Sequence, residues 1–512
     1  MGITGKTIIF YYNDLVIESK KMRKKMVTAN VDKKLVSHLF RRAGFGITED
    51  EIDNLSNKYY EDLVEDLLSP EKQPEIPEDL MRRYHLELNY SDTHGGWQSY
   101  WIYRMINTER PLEEKIALFW HHIFATSIGK SEHTPSAVVQ INTFRSNGFS
   151  KMRDILLDLA RDPAILFWLD NSENHKGEPN ENWGRELLEL FSMGVGNYTE
   201  DDIKEASRAF TGWTFVQPLP LDPYARYDSA FLYVDDDHDH GEKTFLGETG
   251  NWNGQDIIEI VARQPATAKF ISRHLYNFFV ADEPQVPAWD IVPPNNPEAI
   301  EKMVEIYMDT DGSIKELLRF LFNSDFFKNS KFKKIKSPVE LVTGVIKING
   351  QHRFPGPEFS TLATTVANMG QAVMTPPTVE GWHTGKEWID AGTLNERVNF
   401  AVDSFGGKEI STVDFEGRES LSDGQSGIAG GVKSIVGKIR NENKVEPAQM
   451  LDRCLELLGY IEITDETRKE LTSELNKDGP LSFSTDSDSS ASEDRIIKIL
   501  QAIVSTIEFQ FG

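Results

Sequence analysis

The stretch PLEEKIALFWHHIFATS, residues 111–127, limits the fold more than any other part of the chain. Pro111 suits a first helical position, and beyond the opening turn the segment is apolar nearly all round. Ile116, Trp120 and Ile123 fall on one side of the helix, and Leu118 and Ala125 on the other. A helix with no polar face has no place at a surface, so other elements must enclose it. His121 and His122 therefore enter a core or line a cavity, where an imidazole needs a hydrogen-bond partner, a ligand or an acid–base task.

The chain has the material to enclose such a helix: 512 residues, 39% of them hydrophobic, with 10 Trp. Apolar periodicity predicts helices at 33–42, 49–68, 97–107, 111–126, 149–160, 181–193, 200–213, 254–263, 265–280, 297–309, 313–323, 337–349, 360–372, 446–459 and 493–507. The strand signals AFLYV (230–234) and KTFLG (243–247) flank an acidic loop and suggest one small hairpin. The expected fold is mainly α, a multi-helix globular fold with a small β-hairpin insertion. Residues 1–32 form an N-terminal extension, 33–404 the helical domain, and 405–445 a Gly/Ser-rich, linker-like insertion. Residues 446–512 form a C-terminal helical segment carrying the polar STDSDSSASED stretch near 484–494, expected to be mobile.

Charge removes some partners. Lys and Arg total 55 against 81 Asp and Glu, a formal charge of -26, which repels phosphate backbones and anionic membrane surfaces. No nucleic acid is expected. No run approaches the roughly 20 apolar residues of a transmembrane helix, so no membrane insertion is expected either. The N-terminal apolar patch Ile8–Tyr12 is short and lacks a following small-residue cleavage site, which points to the cytoplasm. The one cysteine, Cys454, sits in the apolar LDRCLELLGY and cannot pair within the chain. Phosphate-loop, dinucleotide-binding, H-E-x-x-H and G-x-S-x-G patterns are absent from the sequence.

Three polar segments could carry chemistry. In NENWGRELLELFSMGVGNYTEDD (180–202), a helix begun after Asn180 puts Glu181, Ser192, Arg185, Glu189, Asn182 and Glu186 on one arc. Trp183, Leu187, Leu190 and Phe191 lie opposite, Gly194 and Gly196 can end the helix, and Thr199 with Asp202 forms a capping box for the next one. Arg185 among glutamates fits a solvated face or an ion-pair network under a pocket. In DDDHDHGEKTFLGETG, His238 and His240 flank Asp239, and an H-x-H pair presents two imidazoles from one side of an extended segment, as Zn²⁺ or Fe²⁺ sites use. In TPPTVEGWHTGKEWI (375–389), Trp382 and Trp388 either plug the core or cover a pocket.

Together HLFRRAGFG (38–46), EKIALFWHHIFATS (114–127), RDPAILFWLDN (161–171), PNENWGRELLELFSMGVGNYTEDDIKEASRAFTGWTF (179–215), HDHGEKTFLG (238–247), SPVELV (337–342) and PPTVEGWHTGKEWI (376–389) resemble the bacterial family of domain of unknown function 1800. The resemblance covers residues 33 to 400, with a weaker echo in TIEFQFG at the end. It implies a mostly helical protein, often exported and often encoded beside sulfatase-like proteins, which makes such a protein a candidate partner; it implies no established reaction. Family members commonly have Trp-His-Asn-His-Phe where this chain has Trp120-His121-His122-Ile123-Phe124.

Two functions stand on this basis. One is a metal-assisted enzyme, a hydrolase of a small molecule or polymer, with Glu186, Arg185 and His121 catalytic. Its divalent ion, Zn or Fe, would take His121, His238, Asp239 and His240, and its pocket would be walled by Asn182, Trp120, Trp213 and Trp382. The other is a non-catalytic helical scaffold or partner-binding protein. The first expects Glu186 within side-chain reach of His121 or of the 238–240 loop.

Overall fold

The enclosed helix, Pro111–Ile123, organises the structure, a computed structural model that describes residues 31–512 apart from 78–79, 81–82, 84–93, 132, 217–228, 287–288, 351–353, 357, 407–411, 414–418, 421–428, 443–445 and 478. Most of the expected 1–32 extension and much of the 405–445 insertion lie outside the described residues. In chain order, the elements that matter to the site begin with α1 (Lys33–Arg42), α2 (His94–Asn107), α3 (Pro111–Ile123), α4 (Thr134–Asn147), α5 (Asn182–Glu189) and α6 (Glu200–Ala209). Four short strands follow: β1 (Trp213–Val216), β2 (Ala230–Tyr233), β3 (Lys243–Phe245) and β4 (Glu248–Gly250). Then come α7 (Pro265–Phe279), α8 (Pro297–Asp309), α9 (Pro338–Asn349), α10 (Glu358–Asn368), α11 (Ala391–Phe405) and α12 (Asp486–Val504).

Mainly α architecture is what the periodicity demanded, and α3 explains why the helices gather. Residues Leu112 to His121 are all buried, including the charged Glu113, Glu114 and Lys115. Helices α2 and α4 pack on α3, α9 and α10 pack on α2, and α11 joins α9 to α12. One continuous apolar core runs from Val36 in α1 to Phe509 near the C-terminus. Glu114 survives inside it because its carboxylate takes hydrogen bonds from Arg104 (2.6 Å), Arg145 (2.8 Å) and Trp101 Nε1 (3.0 Å). A buried carboxylate is tolerated only with such partners. Among the described residues, no helix is long and apolar enough to cross a membrane.

The strands differ from expectation in their pairing. AFLYV and KTFLG do not pair with each other: β2 pairs antiparallel with β1, and β3 with β4. The reason is local. Leu246 and Gly247 take φ of 47° and 80°, the twist of a tight two-residue hairpin turn, so β3 folds back on the residues that immediately follow it. A further pair of two-residue strands joins 412–413 to 419–420.

Helix ends also depart from the pattern. The helix expected over 181–193 stops at Glu189, and Ser192 is fully buried rather than on the polar arc, its hydroxyl hydrogen-bonded to the Leu187 carbonyl. Gly194 and Gly196 take the positive φ that reverses the chain, and Thr199 and Asp202 form the expected capping box of α6. In the stretch near 484–494 expected to be mobile, residues 486–494 open helix α12, with Thr485 as N-cap.

Helices α5 and α6 meet at Gly184, where a Cβ would lie 2.4 Å from Ser207 Oγ and 3.1 Å from the Ile203 carbonyl. Gly184→Ala is therefore expected to push the two helices apart and cost about 1–3 kcal/mol, read as a lower urea midpoint with an unchanged slope.

Candidate functional site

Glu186 and Glu189 are one turn apart on α5, so their carboxylates share a face. Tyr198 donates a hydrogen bond to Glu189 at 3.1 Å, which fixes that side chain. Glu186 is half-buried, and the charge of Glu380 reaches it from the 375–389 loop. Burial, then the Glu189 charge, outweigh the opposing pull of Arg185, and Glu380 adds to them, so the Glu186 carboxyl is pushed up to about 7. It holds its proton near neutrality beside two other carboxyl groups.

The 375–389 loop links this acidic cluster to the histidines of α3. A turn from Thr378 to Gly381, closed by a 3.1 Å hydrogen bond, gives Gly381 a φ of 86°. A Cβ at Gly381 would lie only 2.1 Å from the His122 carbonyl oxygen, so glycine is required twice over, for conformation and for space. The next residue, Trp382, inserts between the two histidines, 5.3 Å from the His121 ring and stacked at 6.1 Å on His122. Its backbone N–H donates to His122 Nδ1 at 3.3 Å. Glu380 and Trp382 are two residues apart, at most about 7 Å of backbone. The loop thus carries Glu380 of the acidic cluster at one end of a short stretch and meets the histidine pair at the other. Gly381→Ala should cost about 2–3 kcal/mol by combining strain with the clash, and near-ultraviolet circular dichroism should register the displaced Trp382.

Beneath the loop, polar groups converge from segments far apart in sequence. His121 is 2% exposed and wedged between Trp101 (5.6 Å) and Trp382, and among the described residues neither ring nitrogen has a hydrogen-bond partner. Burial drives it down to about 3, so it is a neutral imidazole throughout the physiological range. His122 is held down to about 4 by burial and by the Lys334 charge. His274 of α7, 6% exposed and with no partner for Nε2 among the described residues, faces His122 across a cavity of about 30 Å³ also lined by Asn277, Lys334, Gln371 and Thr384. The Lys334 ammonium is held by Asp282 at 2.8 Å.

Glu340 at the start of α9 borders the same cavity and anchors it. One carboxylate oxygen takes Arg42 at 2.8 Å and Lys115, and the other takes the Ser337 N–H at 2.8 Å in a capping box. Burial alone would raise its pKa, but Arg42 and Lys115 outweigh burial and hold it well below the usual carboxylate range. Lys115, fully buried, is pushed down to about 8 despite Glu340.

A family model described as a protein of unknown function, DUF1800, matches residues 38–511. The chain belongs to the DUF1800 family. The match includes α3, α5, α7, α9 and the 375–389 loop, so every segment of the site lies within the DUF1800 region. No curated protein and no solved structure matches the chain, so DUF1800 membership arrives without a reaction.

In this DUF1800 protein the remaining sequence candidates lie apart from the acidic cluster or are engaged elsewhere. His238 Nδ1 meets the Thr211 carbonyl at 2.8 Å, Asp239 binds Arg208 at 2.7 Å, and the exposed His240 leans on Asp235. These bonds lock the 238–240 loop onto the end of α6. Among the described residues no group of three or more His, Cys, Asp or Glu side chains is arranged to hold a metal ion, and His121 has tryptophans for neighbours. Arg185 reaches outward to Glu200 (2.8 Å) and Glu181 (3.3 Å). Asn182 is half-buried at the start of α5, its N–H capped by Asn180. Trp120 stacks on Phe124 and donates to the Gly148 carbonyl, and Trp213 packs on Phe210 and Phe231; both are core residues. Trp382 alone of the expected wall residues sits at the histidines. Glu186 is surrounded electrostatically by Glu189, Arg185 and Glu380, with neither His121 nor the 238–240 loop among the groups that shift it.

Proposed function

We propose that this DUF1800 protein is a hydrolase in which Glu186 is the proton donor. The observation that carries the reading is a half-buried carboxyl group, flanked by Glu189 and Glu380 and pushed up to about 7, that is reachable from the surface. A group poised near the working pH serves both as acid and, after donation, as base. In the first step Glu186 delivers its proton to the departing oxygen or nitrogen as the bond to the substrate breaks. Water adds to the electrophilic centre, and its proton passes to the Glu189 carboxylate, oriented by Tyr198. Proton exchange with solvent restores Glu186–H and Glu189 carboxylate, so one water is consumed and both groups return to their starting state.

His121, His122 and Trp382 form the buried support that sets the loop position, and with it the position of Glu380 opposite Glu186. The test is a panel of chromogenic esters, glycosides, phosphate and sulfate esters, and amides, offered to the native chain and to Glu186→Gln. Turnover of one class by the native chain, with a pH limb near 7 that vanishes in the variant, is the expected result. No turnover by either protein leaves the scaffold function, with a sulfatase-like protein among the candidate partners.

A further inference from the structure

A second chamber also borders Glu340, and its walls carry three basic side chains, Arg41, Arg42 and Lys336, against one carboxylate. It has a volume of about 30 Å³ and is lined by Ser37, Arg41, Arg42, Lys336, Glu340 and Gly459 together with apolar side chains. Room of this size holds about two waters or one carboxylate group.

Arg42 is paired with Glu340, but the other two cations of its walls are held by dipoles rather than by charges. Arg41 donates to the Gly459 carbonyl at 3.1 Å and lies over the Phe332 ring, and among the described residues its Nε has no partner. Lys336, 7% exposed, donates to the Phe509 carbonyl at 2.7 Å and lies 4.1 Å from that ring. Behind it Arg397, fully buried, reaches Gln510 and the Lys336 carbonyl, and among the described residues its Nη1 has no partner. Among the described residues Glu340 is the one carboxylate in the walls, and both its oxygens are already taken, by Arg42, Lys115 and Ser337. The exposed Glu462 acts on Arg41 from outside the chamber. Carbonyl oxygens and aromatic faces stabilise a cation but cannot cancel its charge, and unpaired buried charge is among the costliest features an interior can carry.

We propose that this chamber is a carboxylate-binding site, with the oxyanion lying between Arg41, Arg42 and Lys336. The assignment is independent of the hydrolase reading and of Glu186. The ligand is a small carboxylate. The backbone of Gly512 lies close by, since a Cβ there would be 3.3 Å from Lys336 and 3.4 Å from Arg42 Nη1.

Thermal unfolding of the full chain is followed in rising sodium acetate, with sodium chloride at matched ionic strength and pH as reference. A saturable rise in Tm of about 2 °C or more over chloride is expected. Arg41→Gln and Lys336→Met should each abolish the acetate-specific rise, and ¹³C-acetate line broadening reads binding directly in whichever variant folds. Equal Tm in acetate and chloride, or an acetate effect and line broadening that persist in both variants, overturns the proposal.

Discussion

Glu340→Gln is expected to destabilise the protein by about 3–5 kcal/mol, measured by urea unfolding with linear extrapolation. The amide keeps the size and the Ser337 contact of the carboxylate but not its charge. Arg42 and Lys115, both fully buried, then face each other with no counter-ion in the middle of the core. Removing one partner of a buried pair costs far more than the pair itself is worth, because the desolvation of the survivors remains. Lys115→Met added to Glu340→Gln should recover part of the loss, since it removes one of the two stranded charges. Equal stability of Glu340→Gln and native protein would mean that the network around α9 contributes nothing to holding the loop and cavity.

The second large effect is on turnover. Glu186→Gln should lower kcat/KM of whichever substrate class is hydrolysed by about 10²- to 10⁴-fold, the span of a lost general acid. Stability should move the other way. Burial and the neighbouring carboxylates raise the folded-state pKa of Glu186 from 4.5 to about 7, so the folded protein binds this proton more tightly than the unfolded chain. That contribution is complete below pH 4.5 and is lost as pH rises through 7. At pH 8 the native side chain carries a charge that its surroundings disfavour. Glutamine there should be more stable by about 1–2 kcal/mol, roughly half the full linkage value because the group is partly solvated. At pH 4 the difference should vanish. A variant that loses turnover and also unfolds more easily at pH 8 would point to a structural role for Glu186.

The buried helix, the helical class and the acidic arc of α5 were legible because each is encoded by local period. What was not legible depends on contacts hundreds of residues apart. Glu114 and Lys115 look like ordinary first-turn charges, yet Lys115 meets Glu340 and Glu114 meets Arg104 and Arg145 inside the core. His274, Lys334 and Gln371 carried no pattern of their own and became part of the site only when α7, α9 and the 375–389 loop were brought together. The H-x-H pair shows the converse. Its spacing suits a metal, while one ring nitrogen of each histidine meets Thr211 or Asp235, partners that no spacing rule reveals. Glu380 stands in sequence beside Gly381 and Trp382, and a carboxylate next to a glycine turn is the local signal that marks it.

The central claim is that Glu186 keeps its proton at neutral pH, and it can be measured without knowing the substrate. The protein is labelled with ¹³C at the glutamate carboxyl carbons, the Glu186 signal is assigned by its absence from Glu186→Gln, and its chemical shift is followed from pH 3 to pH 9. A midpoint near 7, moving down when Glu189 or Glu380 is replaced by glutamine, is the predicted result. A midpoint near the ordinary 4.5, unmoved by either replacement, would contradict the acid–base role.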